Sequence, residues 1–234
     1  MNGEIPLYVS VVFVLTALLT VGFLFRSFRN VRPPGIASQL LVFVLPFWMI
    51  LTGLLASAGF YYRFDAFPPR VFTFGVLPAL LLIAAYFIFF RRSFIDGLSL
   101  KTLTMLHVIR VPVELCLLWL YQAALVPRVM TFEGWNFDIL SGATAPFVYW
   151  IGFANRKTNR TLLVAWNIFA LGLLANIVII AILSLPSPIQ KLGLEQPNVA
   201  VAYTPFIWLP AIIVPIVLFA HLASLRKLLR RSAA

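Results

Sequence analysis

Seven long apolar stretches constrain the fold of this chain more than any other feature of its sequence. A bilayer core about 30 Å thick requires about 20 apolar residues in each helix that spans it, and the fifth stretch is the shortest. We predict an all-α polytopic bundle of seven transmembrane helices, which forms a single transmembrane helical domain over residues 1–234. The stretches cover residues 5–25, 38–61, 71–90, 102–126, 139–154, 161–185 and 203–225.

The composition excludes an ordinary soluble fold. Of the residues, 62% are hydrophobic and 11% are charged, whereas a soluble domain is about half apolar and about a quarter charged. A soluble fold of 234 residues has too little interior to enclose this much apolar surface. The first apolar stretch lacks a small-residue cleavage site, so we predict a retained helix and not a signal peptide. The single cysteine, Cys116, excludes an intrachain disulfide.

The basic residues alternate between the two ends of the predicted helices. Of the 18 Lys and Arg residues, thirteen fall on one side, four fall on the other, and Arg110 lies inside the fourth helix. The positive-inside rule assigns the richer side to the cytoplasm, which predicts an external N-terminus and a cytoplasmic C-terminus. The net charge of +11 is therefore a topology signal, and we predict no nucleic-acid partner. The richer side carries Arg26, Arg29, Arg32, Arg91, Arg92, Lys101, Arg156, Lys157, Arg160, Arg226, Lys227, Arg230 and Arg231, and the poorer side carries Arg63, Arg70, Arg128 and Lys191.

Several of the predicted helices contain proline well inside their bounds. Each such proline removes one backbone hydrogen bond and tends to kink the helix, and the freed carbonyl must be satisfied by neighbours or by water. Bent helices often frame a cavity, although proline is also simply tolerated in membrane helices. The internal prolines are Pro46, Pro78, Pro112, Pro146, Pro210 and Pro215.

The fourth predicted helix carries three ionisable residues on one face. His107, Arg110 and Glu114 lie within about 60° of each other around the helix axis. A charge near the bilayer centre costs at least about 2.5–3.5 kcal/mol, so such residues face the bundle interior and are functional candidates. Arg110 and Glu114 have the i, i+4 spacing of a salt bridge. We predict a binding or proton-relay centre here, and the alternative is a structural ion pair.

The second histidine, His221, is predicted to lie at the same depth as His107. Both are five or six residues from the basic end of their helices. Three interpretations remain open: a proton relay, ligation of a b-type haem from two helices, and structural hydrogen bonding by each histidine. A zinc site formed with Glu114 lacks ligands at convincing spacing. We therefore predict no metal and no cofactor, with haem between His107 and His221 as the minor option.

Two further groups of polar residues belong to the candidate sites. Asn167 and Asn176 share one face of the sixth predicted helix, where they either line a polar chamber with Arg110 and Glu114 or join helices by hydrogen bonds. Charged and aromatic residues in the outer loops either form a binding vestibule or act as ordinary interfacial anchors. The vestibule candidates are Arg70, Glu133, Trp135 and Asp138.

Short segments spread over most of the chain carry a family resemblance. They are Pro68-Pro69-Arg70, Arg110-Val-Pro112-Val-Glu114, Met130 to Asp138, Ser141 to Pro146, Gln196-Pro-Asn198 and Trp208 to Pro215. Together they resemble a family of uncharacterised bacterial integral membrane proteins of the Bacteroidota type. The resemblance implies a multi-pass protein of the bacterial inner membrane. It implies no activity, and no catalytic residue follows from it.

Three hypotheses for function follow, and the question of an enzyme stays open among them. The first is small-molecule or proton-coupled transport or binding through the polar centre of the fourth helix. The second is a membrane-embedded enzyme that acts on a lipid or quinone, for which a lateral opening between helices is the distinguishing feature. The third is a non-catalytic sensor or assembly subunit. The expected partners are the lipid bilayer and a small-molecule or lipid ligand.

Overall fold

The computed structural model describes residues 5–29, 31, 35–64, 66–154 and 157–230. Within these ranges the chain forms helices and turns and contains no β-strand, so the predicted all-α class is confirmed. Three residues that entered the charge count, Arg32, Arg156 and Arg231, lie outside the described residues.

Six helices in the described ranges are long and apolar enough to cross a membrane, and a seventh apolar helix is shorter. The fifth helix is the shortest, as its apolar stretch predicts. The last helix starts at Leu209, later than predicted, because residues 203–207 form a bend and turns. The helices are α1 (Leu7–Phe28), α2 (Ile36–Ser57), α3 (Phe72–Phe89), α4 (Leu100–Gln122), α5 (Ile139–Gly152), α6 (Arg160–Leu183) and α7 (Leu209–Leu229).

Three of the helices depart from α-helical geometry just before a proline. Proline lacks the N–H group, and its ring crowds the carbonyl four residues earlier, so that carbonyl needs another donor. In α3 the Tyr61 hydroxyl approaches the carbonyl of Phe74 at 3.4 Å. By contrast, Pro46 and Pro146 lie within regular α-helix. The irregular turns are Phe72–Val76 before Pro78, His107–Ile109 before Pro112, and Leu209–Ile213 before Pro215.

Helices α4 and α7 form the centre of the bundle. In each, 61% of the most apolar stretch is buried, whereas the figure for α3 is 17%. Helix α4 packs against α1, α5 and α7, and α6 packs against α5 and α7. Large apolar side chains on the outer helices, such as Phe43 and Phe147, are exposed. Lipid chains would cover such a surface, while polar groups on α4 and α7 are left facing other helices.

The connections between helices gather at the two ends of the bundle. At one end, Asp96 in the loop after α3 accepts a hydrogen bond from Arg226 near the end of α7, with an Nε–Oδ1 distance of 3.0 Å. At the other end, the N–H of Val199 donates to the carbonyl of Leu125 just after α4, at 3.0 Å. Each of these two contacts joins segments that the Lys and Arg distribution assigns to the same side of the membrane. The orientation of the bundle relative to the cytoplasm stays a prediction.

Candidate functional site

Seven polar side chains meet in the interior of the bundle, and each is at most 6% exposed. They come from α4, α6, α7 and the segment that precedes α5. Four of the six residues predicted to line the polar centre are joined by hydrogen bonds or ring stacking, and a fifth, Glu114, lies one turn further along α4. We refer to the set as the central cluster, which consists of His107, Arg110, Glu114, Asn136, Asp138, Asn167 and His221.

The short length of α5 explains how Asp138 reaches this cluster. A helix of 14 residues is about 21 Å long at 1.5 Å per residue, which is shorter than a bilayer core of about 30 Å. The segment 126–138 therefore enters the bundle before α5 begins. Gly142 permits the close approach of α5 to α4, because a Cβ atom there would lie 2.9 Å from the backbone nitrogen of Val111 and 3.2 Å from the Cβ of Arg110.

The guanidinium group of Arg110 is the most highly coordinated group of the central cluster. Its Nε donates to Oδ2 of Asp138 at 2.6 Å, and its Nη2 forms a second ion-pair contact with Oδ1 of the same carboxylate. Both terminal nitrogens also approach the carbonyl of Ala170, at 3.3 and 3.4 Å, and Nη1 lies 3.3 Å from Nε2 of His221. All three nitrogens of the guanidinium group thus contact an acceptor.

The contacts of His221 determine which of its ring nitrogens carries hydrogen. Arginine has only N–H donors, so the Nε2 atom facing Arg110 must act as an acceptor. The hydrogen then resides on Nδ1, which donates to Oδ1 of Asn167 at 2.9 Å. The Asn167 amide in turn donates to the carbonyl of Leu163 at 2.7 Å. A directional chain of hydrogen bonds therefore connects α4, α7 and α6.

His107 contacts His221 by stacking. The ring centroids are 3.9 Å apart and the ring planes differ by 21°, while Trp166 packs edge-on against His107 at 5.3 Å. Neither ring nitrogen of His107 has a hydrogen-bond partner among the described residues. Two histidines that ligate one haem point their nitrogens at the iron from opposite faces. Haem ligation by this stacked pair would therefore require α4 and α7 to separate.

The predicted ion pair between Arg110 and Glu114 is wrong, since Arg110 pairs with Asp138 instead. The Glu114 carboxyl accepts from the Asn136 amide nitrogen at 2.6 and 2.7 Å, and no cation in the described part of the chain lies within ion-pair distance of it. The physical reason is that the two carboxylates compete for the guanidinium group of Arg110. Asp138 meets the guanidinium edge-on with both oxygens, which is the stronger bidentate geometry.

With both histidines neutral, the charges of the central cluster balance only when one carboxyl carries a proton. The positive charge of Arg110 is matched by Asp138, and His221 is neutral in the hydrogen-bond arrangement above. An ionised Glu114, which is 1% exposed, would leave one net negative charge in the bundle interior, where such charge is costly. Of the two carboxyls, Glu114 is therefore the one that can gain or lose a proton without breaking an ion pair.

Asn136 is the member of the central cluster that the sequence did not reveal. Its amide nitrogen also donates to the Met130 carbonyl at 2.9 Å, and its Oδ1 accepts from the N–H of Asp138 at 3.0 Å. It thus holds the segment 126–138 in shape while it binds Glu114. The signal available in the sequence was the short fifth stretch, which implies that the preceding polar residues lie at depth.

The remaining site candidates lie outside the central cluster. Asn176 donates to the backbone carbonyl of Trp135 at 2.8 Å, so it supports the outer loop. The guanidinium group of Arg70 donates to the carbonyl of Phe60 at 3.2 Å and lies 4.7 Å from the centre of its ring. Glu133 and the ring of Trp135 are exposed. Of the four vestibule candidates, Arg70, Glu133 and Trp135 therefore lie outside the central cluster, whereas Asp138 lies inside the bundle.

A cavity of about 430 Å³ adjoins the central cluster. Its walls are almost entirely apolar side chains of α3, α4, α6 and α7, and its polar lining comes from Arg110, Glu114, Asp138 and Asn198. Two residues of its lining, Phe72 on α3 and Ala175 on α6, are exposed on the flank of the bundle. The cavity therefore reaches the apolar flank between α3 and α6.

Helices of this length and apolarity, packed around a buried polar cluster, indicate a multi-pass membrane protein. Within that class the chain belongs to the family described as the domain of unknown function DUF8737, which matches residues 68–229. Every residue of the central cluster falls within the matched region, whereas α1 and α2 precede it. No curated protein and no solved structure shows a significant match to the chain.

Proposed function

We propose that this protein binds a lipid-soluble small molecule inside the bilayer, in the cavity beside the central cluster. The observation that carries the proposal is the lining of that cavity, which is apolar except at Asn198 and where Arg110, Glu114 and Asp138 reach it. Such a lining suits a molecule with an apolar body and one hydrogen-bonding group. The polar group of the ligand would meet Glu114, whose carboxyl has only an amide partner.

The size and the opening of the cavity support the same proposal. A volume of about 430 Å³ lies within the range of about 300–1,000 Å³ that is usual for small-molecule sites. Exposure of Phe72 and Ala175 on the lipid-facing flank gives a lateral route from the membrane. A hydrophilic solute would lose its hydration against these walls without gaining enough hydrogen bonds in return, so a lipid or quinone is the favoured ligand class.

Ligand retention in two matched variants tests this proposal. Ala165→Phe and Ala175→Phe make the same change on exposed positions of α6, but only Ala175 lines the cavity. Mass spectrometry of organic extracts should find an apolar compound that co-purifies with the wild type and with Ala165→Phe. We expect several-fold less of it with Ala175→Phe, because the added ring obstructs the mouth of the cavity. Equal amounts in all three proteins would overturn the proposal.

Proton-coupled transport is a second candidate. The observation that favours it is that the buried carboxyl of Glu114 has no ion-pair partner among the described residues. In proteoliposomes that contain a pH-sensitive dye, we expect Glu114→Gln to abolish pH-coupled flux, because glutamine keeps the shape but cannot carry the proton. Glu133→Gln, a change of an exposed glutamate, is the matched control and should leave the flux unchanged. Undiminished flux in Glu114→Gln would rule out this role.

The setting that we propose is a bacterial inner membrane, with the N-terminus outside and the C-terminus in the cytoplasm. It rests on the excess of Lys and Arg at one end of the helices and on the family resemblance of the sequence. Cysteine labelling from each side of intact cells would test the orientation, with Arg63→Cys expected to react from outside and Arg92→Cys from inside.

A further inference from the structure

Four arginines surround a second pocket, at the opposite end of α7 from its π-helical turn. The pocket has a volume of about 550 Å³ and lies between the ends of α3 and α7. We refer to it as the arginine pocket. Its lining consists of Phe87, Arg91, Arg92, Arg226 and Arg230.

The arginine pocket carries more positive charge than the protein itself neutralises. Asp96 accepts from Arg226 at 3.0 and 3.1 Å and from Arg230 at 2.6 Å. One carboxylate therefore serves two guanidinium groups. Arg91 and Arg92 are exposed, and neither forms an ion pair in the described parts of the chain. The four arginines and Asp96 leave a net charge of 4 − 1 = +3 at this place.

The position of the pocket specifies the kind of anion that it would meet. It lies where two apolar helices end, and Ile88 and Phe89 of α3 are exposed one turn or less before Arg91. This is the depth at which lipid head groups sit above their chains. Arginine forms bidentate hydrogen bonds with phosphate, and basic pockets between transmembrane helices bind phosphate-bearing head groups.

We propose that the arginine pocket binds the phosphate of an anionic membrane lipid, with Arg91 and Arg92 as the principal donors. Arg226 and Arg230, held by Asp96, supply a fixed positive wall on the opposite side. The lipid chains would run along the exposed apolar side of α3, past Phe89 and Ile88. None of the four arginines lines the cavity beside the central cluster, so this proposal is independent of the function proposed above.

The test uses the full-length protein in nanodiscs of phosphatidylcholine that contain a minor fraction of phosphatidylglycerol. Native mass spectrometry then counts the phosphatidylglycerol molecules retained by each chain. We expect the wild type to retain one, and the double variant Arg91→Gln, Arg92→Gln to show about 30-fold weaker retention, since each basic residue near the membrane surface contributes about 1 kcal/mol, or about fivefold. Both residues are exposed, so the variant should keep the wild-type melting temperature.

The matched control is the double variant Arg63→Gln, Arg128→Gln, which removes two exposed arginines from the end predicted to be external. It should retain the lipid as the wild type does. Equal retention by the wild type and the Arg91, Arg92 variant, or an equal loss in the control, would overturn the proposal. A pocket that binds free phosphate would give a different result in a competition experiment. Inorganic phosphate would then displace phosphatidylglycerol, whereas the proposal expects the lipid to stay bound.

Discussion

The described residues form two groups of paired charges, and the groups differ in how completely each charge is matched by a partner. In the central cluster the side chains of Arg110 and Asp138 are 3% and 8% exposed, and all three guanidinium nitrogens contact an acceptor. At the basic end, the Asp96 side chain is 13% exposed while that of Arg230 is 61% exposed. One carboxylate there faces several arginines.

The difference follows from where each group lies. A charge inside the bundle is tolerated only with a complete set of partners, so the central arginine is matched by one carboxylate, one carbonyl and one imidazole. At the membrane surface, water and lipid head groups supply the missing partners, and an excess of arginine is tolerated. The central pair therefore organises the structure, while the terminal group stays open to a ligand.

The largest difference between the two groups should appear when each carboxylate loses its charge. Asp138→Asn leaves the buried charge of Arg110 without a counter-ion, and we expect it to lower the free energy of unfolding by about 3 kcal/mol or more. Denaturant titration of the purified protein in detergent measures this value, with Asp96→Asn as the matched control. A loss with Asp138→Asn that is no larger than with Asp96→Asn would contradict the contrast.

A smaller difference in stability is expected between alanine variants of two glycines, Gly142 beside the central cluster and Gly97 beside Asp96. In Gly142→Ala the new methyl group would lie 2.9 Å from the backbone nitrogen of Val111, and α5 must move away from α4 to accept it. We expect a loss of about 1–3 kcal/mol. In Gly97→Ala, beside Asp96, the nearest atom is 3.1 Å away in the side chain of Val31, which can shift. Equal losses in the two variants would show that close helix approach does not hold the central pair.

The smallest effect should come from Asp96→Asn itself. Arg226 and Arg230 are partly solvated, and exposed ion pairs contribute about 1 kcal/mol or less. We expect a loss below about 1 kcal/mol that shrinks further as salt is added, because salt screens exposed charges. A loss of stability that is large and independent of salt would mean that Asp96, like Asp138, forms an ion pair shielded from solvent.

The helices were predictable because their signal is local. Apolar runs of about 20 residues form helices in lipid, since no other regular structure satisfies their backbone within one segment. Proline was a partial signal, because irregular turns precede Pro78, Pro112 and Pro215 whereas Pro46 and Pro146 lie within regular helix. The sequence also placed His107, Arg110, Asn167 and His221 in one centre, because each is a costly polar residue on an interior helix face.

The partner of Arg110 was not predictable from spacing along one helix. The i, i+4 rule compares residues of a single helix and therefore selected Glu114. Asp138 arrives from a segment that enters the bundle before α5 begins, and Asn136 comes with it. Asn176 was predicted to line the same centre because it shares a helix face with Asn167, but the two lie about 13.5 Å apart along the helix. It binds the outer loop at Trp135 instead.

A pair of double-mutant cycles tests most directly whether Arg110 pairs with Asp138 and whether Glu114 has no ion-pair partner. The variants are Arg110→Gln, Asp138→Asn and Glu114→Gln, with the two doubles that include Arg110→Gln, and the measurement is the free energy of unfolding. We expect a coupling of about 2 kcal/mol or more between Arg110 and Asp138, and about 0.5 kcal/mol or less between Arg110 and Glu114. The reverse order of the two couplings would contradict this account of the site.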